Sequence, residues 1–147
     1  MLYGRQEVAI YGVGGDYSTG TIGFTVDAIP SGRVALIITG LDDERAAHTA
    51  LKVAVNGIAV FSGQSTLPNV PAGDTGIGGT DRYWGQMTIA IPVSALRIGA
   101  NTLAIQNTEA WQGYRGPPWI LINRLEFAVI ASDQRYAVLG HTIRTVR

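Results

Sequence analysis

Residues 51–61, LKVAVNGIAVF, carry the strongest local fold signal in this chain. Apolar side chains alternate with other residues both before and after the pair Asn56-Gly57. A two-residue type I′ turn needs positive φ at both central positions, which Asn tolerates and Gly adopts at little steric cost. An Asn-Gly pair between two alternating apolar runs therefore predicts a β-hairpin. We expect the rest of the chain to supply further strands that cover the apolar face of this hairpin.

Further strand patterns follow one another along the chain, separated by segments rich in Gly, Pro, Asn and Asp. Each is a short stretch that either alternates in polarity or is continuously apolar and β-branched. The predicted strands span residues 7–13, 21–26, 33–39, 83–91 and 119–130, with another that carries Leu103 and Ile105. The sequence thus predicts an all-β fold. The predicted fold is a two-sheet antiparallel β-sandwich in a single domain, 1–147, with a core at about residues 21–130 and N- and C-terminal extensions.

The same patterns predict two details of packing. Strict alternation along residues 119–130 places Ile120 and Ile122 on the face opposite Leu125. The apolar residues of the segment 93–98 are expected to close one end of the sandwich; they are Val93, Leu96 and Ile98.

The composition is that of an ordinary globular domain. The chain has 147 residues, 46% hydrophobic and 15% charged, which suffices for one domain with a core. Its formal net charge is zero, so no overall field attracts nucleic acid or an anionic membrane. The absence of cysteine excludes disulfides and thiol chemistry. Residues 1–15 lack the uninterrupted apolar run of a signal peptide, so we expect a cytoplasmic or virion location.

The first polar loop, residues 40–50, contains Asp42, Asp43 and Glu44. Carboxylate oxygens are the ligands that Ca²⁺ prefers, so these acids are a candidate calcium site, although no motif supports it. The alternative, which we expect here, is a solvated loop that crosses from one strand to the next. His48 in the same loop has no Ser, Cys or acid placed around it in the manner of a catalytic triad.

The longest irregular stretch, residues 62–81, is rich in Gly and Pro and carries the acids Asp74 and Asp81. Loops of this length are uncommon in compact domains and are often functional. The two acids do not fit an EF-hand loop, which needs oxygens at alternate positions and a closing Glu. We interpret this stretch as a contact surface, either for a ligand or for another subunit.

The second long loop, residues 107–118, contains Trp111, Tyr114 and Arg115, and Trp119 follows just beyond it. Aromatic rings beside an arginine can stack on a sugar and bind its hydroxyls, or form the hot spot of a protein interface. We expect Trp111 to be exposed to a partner. Trp119 opens an apolar strand, so we expect it to lie largely in the core.

The order of these patterns resembles the galactose-binding-like β-sandwich, a jelly roll common among carbohydrate-binding modules. The resemblance covers about residues 23–129. It rests on RVALIITGLDDE at 33–44, KVAVNGIAVFSG at 52–63, IPVSALRIGANTLAIQN at 91–107 and PPWILINRLEF at 117–127. These motifs are turn glycines and core positions, which specify a scaffold rather than a ligand. Members of this family commonly bind sugars through loop aromatics and often hold a structural calcium, but no family calcium site matches here residue by residue.

Residues 131–147 follow the last predicted strand and form a candidate assembly arm. Apolar positions continue at Tyr136 and Ile143, while Arg135 and Arg144 suit polar contacts at the rim of an interface. Such a segment either folds back as a terminal hairpin or adds a strand to a neighbouring copy, because unpaired sheet edges accept strands.

Two non-catalytic functions are consistent with the sequence. An enzyme is not expected, since the chain has two histidines, no cysteine and no paired carboxylates on facing predicted strands. We favour a structural protein that forms a homo-oligomer and, with other protein subunits, decorates a larger assembly such as a virus capsid. The alternative is an extracellular carbohydrate-binding module that recognises a glycan through its loop aromatics. No cofactor is expected in either case.

Overall fold

The structure is a computed structural model that describes residues 8–70, 84–113, 116–130 and 136–138. These residues form nine β-strands and one 3₁₀ turn, Val93–Ala95. In chain order the strands are β1 (Val8–Tyr11), β2 (Thr19–Val26), β3 (Arg33–Asp42), β4 (Ala50–Val55), β5 (Ile58–Gln64), β6 (Gly85–Ile91), β7 (Gly99–Asn107), β8 (Trp119–Ile130) and β9 (Tyr136–Val138).

The strands form two antiparallel sheets. One sheet has the order β1-β8-β3-β6, with β9 also paired to β8, and the other has the order β2-β7-β4-β5. β1 pairs with residues 119–122 of β8 and β9 with residues 128–130, so both lie along the same edge of β8. This arrangement confirms the predicted all-β, two-sheet sandwich and is consistent with a jelly-roll-like fold.

The main hydrophobic core lies between the two sheets. It forms because side chains at every second position of a strand point to the same face, so each sheet presents one apolar face to the other. Phe24 from one sheet and Phe127 from the other stack there, with ring centroids 4.4 Å apart. The buried side chains of this core include Ile10, Val34, Leu36, Ile38, Leu51, Val53, Val55, Met87, Ile89, Ile91, Leu103, Ile105, Ile120, Ile122 and Leu125.

The predicted hairpin is confirmed as β4 and β5. Asn56 has φ 51° and Gly57 has φ 81°, as a type I′ turn requires. The Asn56 side chain also fixes the turn to its surroundings. Its Nδ2 donates to the oxygen of Ala95 at 2.9 Å and to Oδ1 of Asn101 at 2.7 Å, and its Oδ1 accepts from the amide of Thr102 at 3.0 Å.

A β-bulge in β8 makes the strict alternation expected there wrong. The register between β3 and β8 shifts after Thr39, which leaves Asn123 as the extra residue of the bulge. Ile122 and Leu125, placed on opposite faces by alternation, therefore both contact the core between the sheets.

A second, smaller apolar cluster lies on the outer face of the sheet that contains β8. Leu121 is flanked in sequence by two residues of the main core, so its side chain points to the opposite face, where Leu41 and Val70 join it. Partly buried residues that pack against this cluster are Ala9, Trp84 and Trp119.

The structure corrects two further expectations. β3 runs to Asp42, so the start of the predicted loop 40–50 belongs to a strand. Val93 and Ile98 do not close the end of the sandwich, because they are 41% and 68% exposed. Leu96 is partly buried against the core, as predicted, and buried Ala95 lies with it beside the hydrogen-bonded Asn56 turn.

Candidate functional site

Two adjacent acids end β3 inside the molecule. Asp42 and Asp43 are both 0% exposed. Asp42 is in register with Ile120, a core residue of β8, so its side chain points between the sheets. The expectation of a solvated loop is therefore wrong at these two positions. Because a buried carboxylate is costly unless it is paired and hydrogen-bonded, its partners decide what the group can do.

The Asp42 carboxylate hydrogen-bonds to the far end of the loop that follows it. Its Oδ1 accepts hydrogen bonds from Thr49 Oγ1 at 2.6 Å and from the amide of Asp43 at 2.9 Å. Its Oδ2 accepts from the amide of Thr49 at 3.0 Å and lies 3.5 Å from Nδ1 of His48. The carboxylate thus fixes the two ends of the loop against each other.

Asp43 binds Arg45, which in turn reaches Glu109 in another loop. The Arg45 Nε donates to both carboxylate oxygens of Asp43, at 2.8 and 3.0 Å, and its Nη1 donates to Glu109 Oε2 at 2.7 Å. Glu109 Oε1 accepts from the amide of Ala50 at 2.7 Å. Burial alone would lower the pKa of Arg45, but hydrogen bonds with Glu109 and Asp43 raise it above the ordinary value. Arg45 is therefore a permanent cation that joins the two loops.

The carboxylates of this network are already occupied. Each oxygen of Asp42 and Asp43 accepts at least one hydrogen bond, so a metal ion would have to displace Arg45 or Thr49. Within residues 8–70, 84–113 and 116–130, no group of three or more His, Cys, Asp or Glu side chains is placed to hold a metal ion. The geometry favours a structural network over the calcium site considered from the sequence.

Trp111 lies at the same end of the sandwich, in a loop that is hydrogen-bonded to the segment around Val13. The amide of Val13 donates to the oxygen of Glu109 at 2.6 Å, and the amide of Trp111 donates to the oxygen of Val13 at 2.9 Å. A Cβ added to Gly15 would lie 3.2 Å from Trp111 Cγ, so one face of the indole lies against the Gly15 backbone. Trp111 is nevertheless 36% exposed. The side chain therefore forms a supported aromatic surface that is open to solvent.

The other aromatic residues of this end differ from Trp111 in burial. Trp119 is partly buried and packs on the outer cluster of Leu41 and Leu121, rather than in the core between the sheets. Tyr17 is 69% exposed in the loop that begins near Val13 and contacts Trp111. Sequence reasoning misses Tyr17, because that loop carries no aromatic cluster of its own.

The edge strand β5 is a second candidate surface. Within the described strands, β5 pairs with β4 alone and ends the four-stranded sheet. Its exposed positions are Ile58, Ala59, Ser62, Gly63 and Gln64. The segment 53–73 contains no charged residue. This edge therefore presents backbone donors and acceptors to solvent without a charged side chain along it.

Most of the remaining predicted site residues lie outside the described residues. These are Asp74, Asp81, Tyr114, Arg115, Arg135, Ile143 and Arg144. Tyr136 opens β9 and is in register with Ile130 of β8, so residues 136–138 pair within their own chain, as in the terminal-hairpin alternative. An assembly role for the arm 131–147 stays a prediction.

Comparison with known proteins gives no match: no protein-family model matches the chain, and no curated protein matches it. Among the residues described here, no helix combines the length and the apolar character needed to cross a membrane.

Proposed function

We propose that this chain is a non-catalytic structural protein, a β-sandwich that forms a homo-oligomer and decorates a larger assembly such as a virus capsid. The observation that carries the proposal is the open, uncharged edge of β5. Unpaired strand edges are templates for another strand, and monomeric proteins usually block them with Lys, Pro or a covering loop. The sequence of β5, IAVFSGQ, contains neither residue.

The polar network at the loop end also favours a structural role. Arg45 donates a hydrogen bond to Glu109, which also accepts one from the amide of Ala50. Such an arrangement stabilises the loops and leaves the Asp42 and Asp43 carboxylates buried. The network therefore favours a role in holding the loops in place, which agrees with the structural function proposed here.

The mass of the purified chain in solution tests this proposal. We expect light scattering and native mass spectrometry to give a multiple of the 15.6 kDa chain mass that dissociates on dilution. A strict monomer at every accessible concentration would contradict the proposed function.

A carbohydrate-binding function is the second candidate, and the Trp111 surface favours it. A supported, half-open indole can stack on the apolar face of a sugar ring, as expected from the resemblance to galactose-binding-like sandwiches. Titration with a panel of glycans, read by tryptophan fluorescence, tests this function. Trp111→Ala should abolish any binding, whereas Ile98→Ala, at the opposite end of β7, should leave it unchanged. Equal affinities for both variants would reject the Trp111 surface as the site.

A further inference from the structure

We infer that two copies of this chain pair through β5, antiparallel and two-fold symmetric, with Gly63 of one copy opposite Gly63 of the other. The inference rests on the proposed assembly function and names its partner, its strand and its register. The pair would join two four-stranded sheets into one continuous sheet across the interface.

The hydrogen bonds of β4 show which β5 residues have free backbone groups. The oxygen of Ala50 accepts from the amide of Thr108, so even-numbered residues of β4 face β7. The oxygen of Thr49 accepts from the amide of Ser65, so odd-numbered residues face β5. Alternation along an antiparallel ladder then directs the N–H and C=O groups of Ser62 and Gln64 away from β4.

One symmetric register pairs both of these residues without using the irregular part of β5. The register of β5 shifts after its pairing of Phe61 with Val53, which leaves residues 61–64 as the regular segment. An axis at Gly63 places Ser62 opposite Gln64 of the second copy, and Gln64 opposite its Ser62. Every outward backbone group of the regular segment is then hydrogen-bonded.

The side chains on the core-facing side of β5 are compatible with a two-fold axis at Gly63. Directly opposed residues of a non-hydrogen-bonded pair approach to about 4.5 Å between Cα atoms, where glycine removes any clash. The ring of Phe61 lies across Gly63 of its own strand, since a Cβ added there would be 3.3 Å from Phe61 Cζ. Phe61 is only partly buried in one copy, and pairing would cover the rest of its ring.

The charges favour a second copy as the partner of β5. The nearest charge on the adjacent strand is Lys52, which is in register with Ser62. In the pair, the two Lys52 residues lie three strand spacings apart, about 14 Å, which exceeds the Debye length of about 8 Å at physiological salt. Among the described residues of β4 and β5, no like charges therefore oppose the approach of two β5 strands.

The edge strands β2 and β6 are less suited to self-pairing than β5. β2 is flanked by Asp16 and Asp27, which antiparallel pairing of two β2 strands would bring together at both ends. At the start of β6, a Cβ added to Gly85 would lie 2.5 Å from Pro68 Cδ, so Pro68 packs closely against the sheet face at the first residue of this edge strand. β5 lies instead in the uncharged segment 53–73, and an axis at Gly63 pairs the outward backbone groups of its regular residues.

Single cysteines test the register, because the natural chain has none. Ser62→Cys and Gln64→Cys proteins are mixed and oxidised mildly. Opposed residues of a hydrogen-bonded pair lie about 5.5 Å apart between Cα atoms, within the range of about 4.4–6.8 Å for a disulfide. Thr21→Cys, exposed on β2, is the matched control at the other edge of the same sheet.

We expect the mixture to give covalent dimers at least tenfold faster than either variant alone, and Thr21→Cys to give none. Faster cross-linking of Ser62→Cys alone would overturn the register, and cross-linking of Thr21→Cys would overturn the choice of edge. An oligomer by native mass without any β5 cross-link would reject this inference and leave the proposed function standing. A monomer would reject both.

Discussion

Replacing Arg45 with Met should strongly destabilise the protein, because it breaks the ion-pair network at the loop end. Asp43 is 0% exposed, while the Arg45 side chain is 23% exposed and donates to both Asp43 and Glu109. Removing one partner of a buried ion pair costs about 3–5 kcal/mol. Asp43 keeps the amides of residues 45 and 119 as donors, so we expect the lower end, about 3 kcal/mol. For a domain of this size that lowers Tm by about 6–12 °C.

Thermal and urea unfolding, followed by circular dichroism, measure this effect. Arg124→Met is the matched control, because Arg124 forms a 2.6 Å ion pair with Glu126 but is 62% exposed. Exposed pairs contribute only about 0–1 kcal/mol, so the control should unfold almost like the unmodified chain. If Arg45→Met costs no more than Arg124→Met, the network is not the structural unit that its geometry indicates.

Three further predictions concern the turn, the tryptophans and the tail. Gly57→Val forces a β-branched residue into φ 81° and should cost about 1–3 kcal/mol in urea unfolding; an unchanged midpoint would argue against strain at this turn. Trp111→Ala should weaken partner or glycan binding with little change in Tm, whereas Trp119→Ala should be destabilising, by less than the about 3–5 kcal/mol typical of a fully buried Trp; equal Tm losses would refute this division. Deletion of residues 132–147 should leave the circular dichroism spectrum and the β5 dimer intact but remove attachment to a larger assembly; unfolding of the truncated chain, or unchanged attachment, would reject the arm.

Local patterns were sufficient to predict the sandwich, because its strands and turns are specified by neighbouring residues. The Asn56-Gly57 turn is an example, since positive φ at both positions is a property of those two residue types. The β8 bulge could not be predicted in this way. Asn123 is extra only relative to the register of β3, which is a property of the pairing and not of either strand.

The buried acids show a second limit of sequence reasoning. Asp42 and Asp43 look like part of a solvated loop because charged residues are usually exposed. The partner network of Asp43 includes Glu109, which binds Arg45 across 64 residues of the chain, so the sequence around the two acids does not indicate it. The β5 surface escaped detection for a related reason: an edge strand and a central strand can have the same sequence pattern, and only the sheet order distinguishes them.

Amide hydrogen exchange at Ser62 and Gln64, resolved by NMR over a range of protein concentrations, tests the central claim most directly. Both amides point away from β4, and no other described strand pairs with β5, so association through β5 should protect them. Thr21 and Gly23 on the edge of β2 are the internal reference, since their amides point away from β7 in the same way. The account predicts that exchange at Ser62 and Gln64 slows as concentration rises, while the β2 amides stay fast. Exchange at Ser62 and Gln64 that is equally fast at every concentration would contradict it.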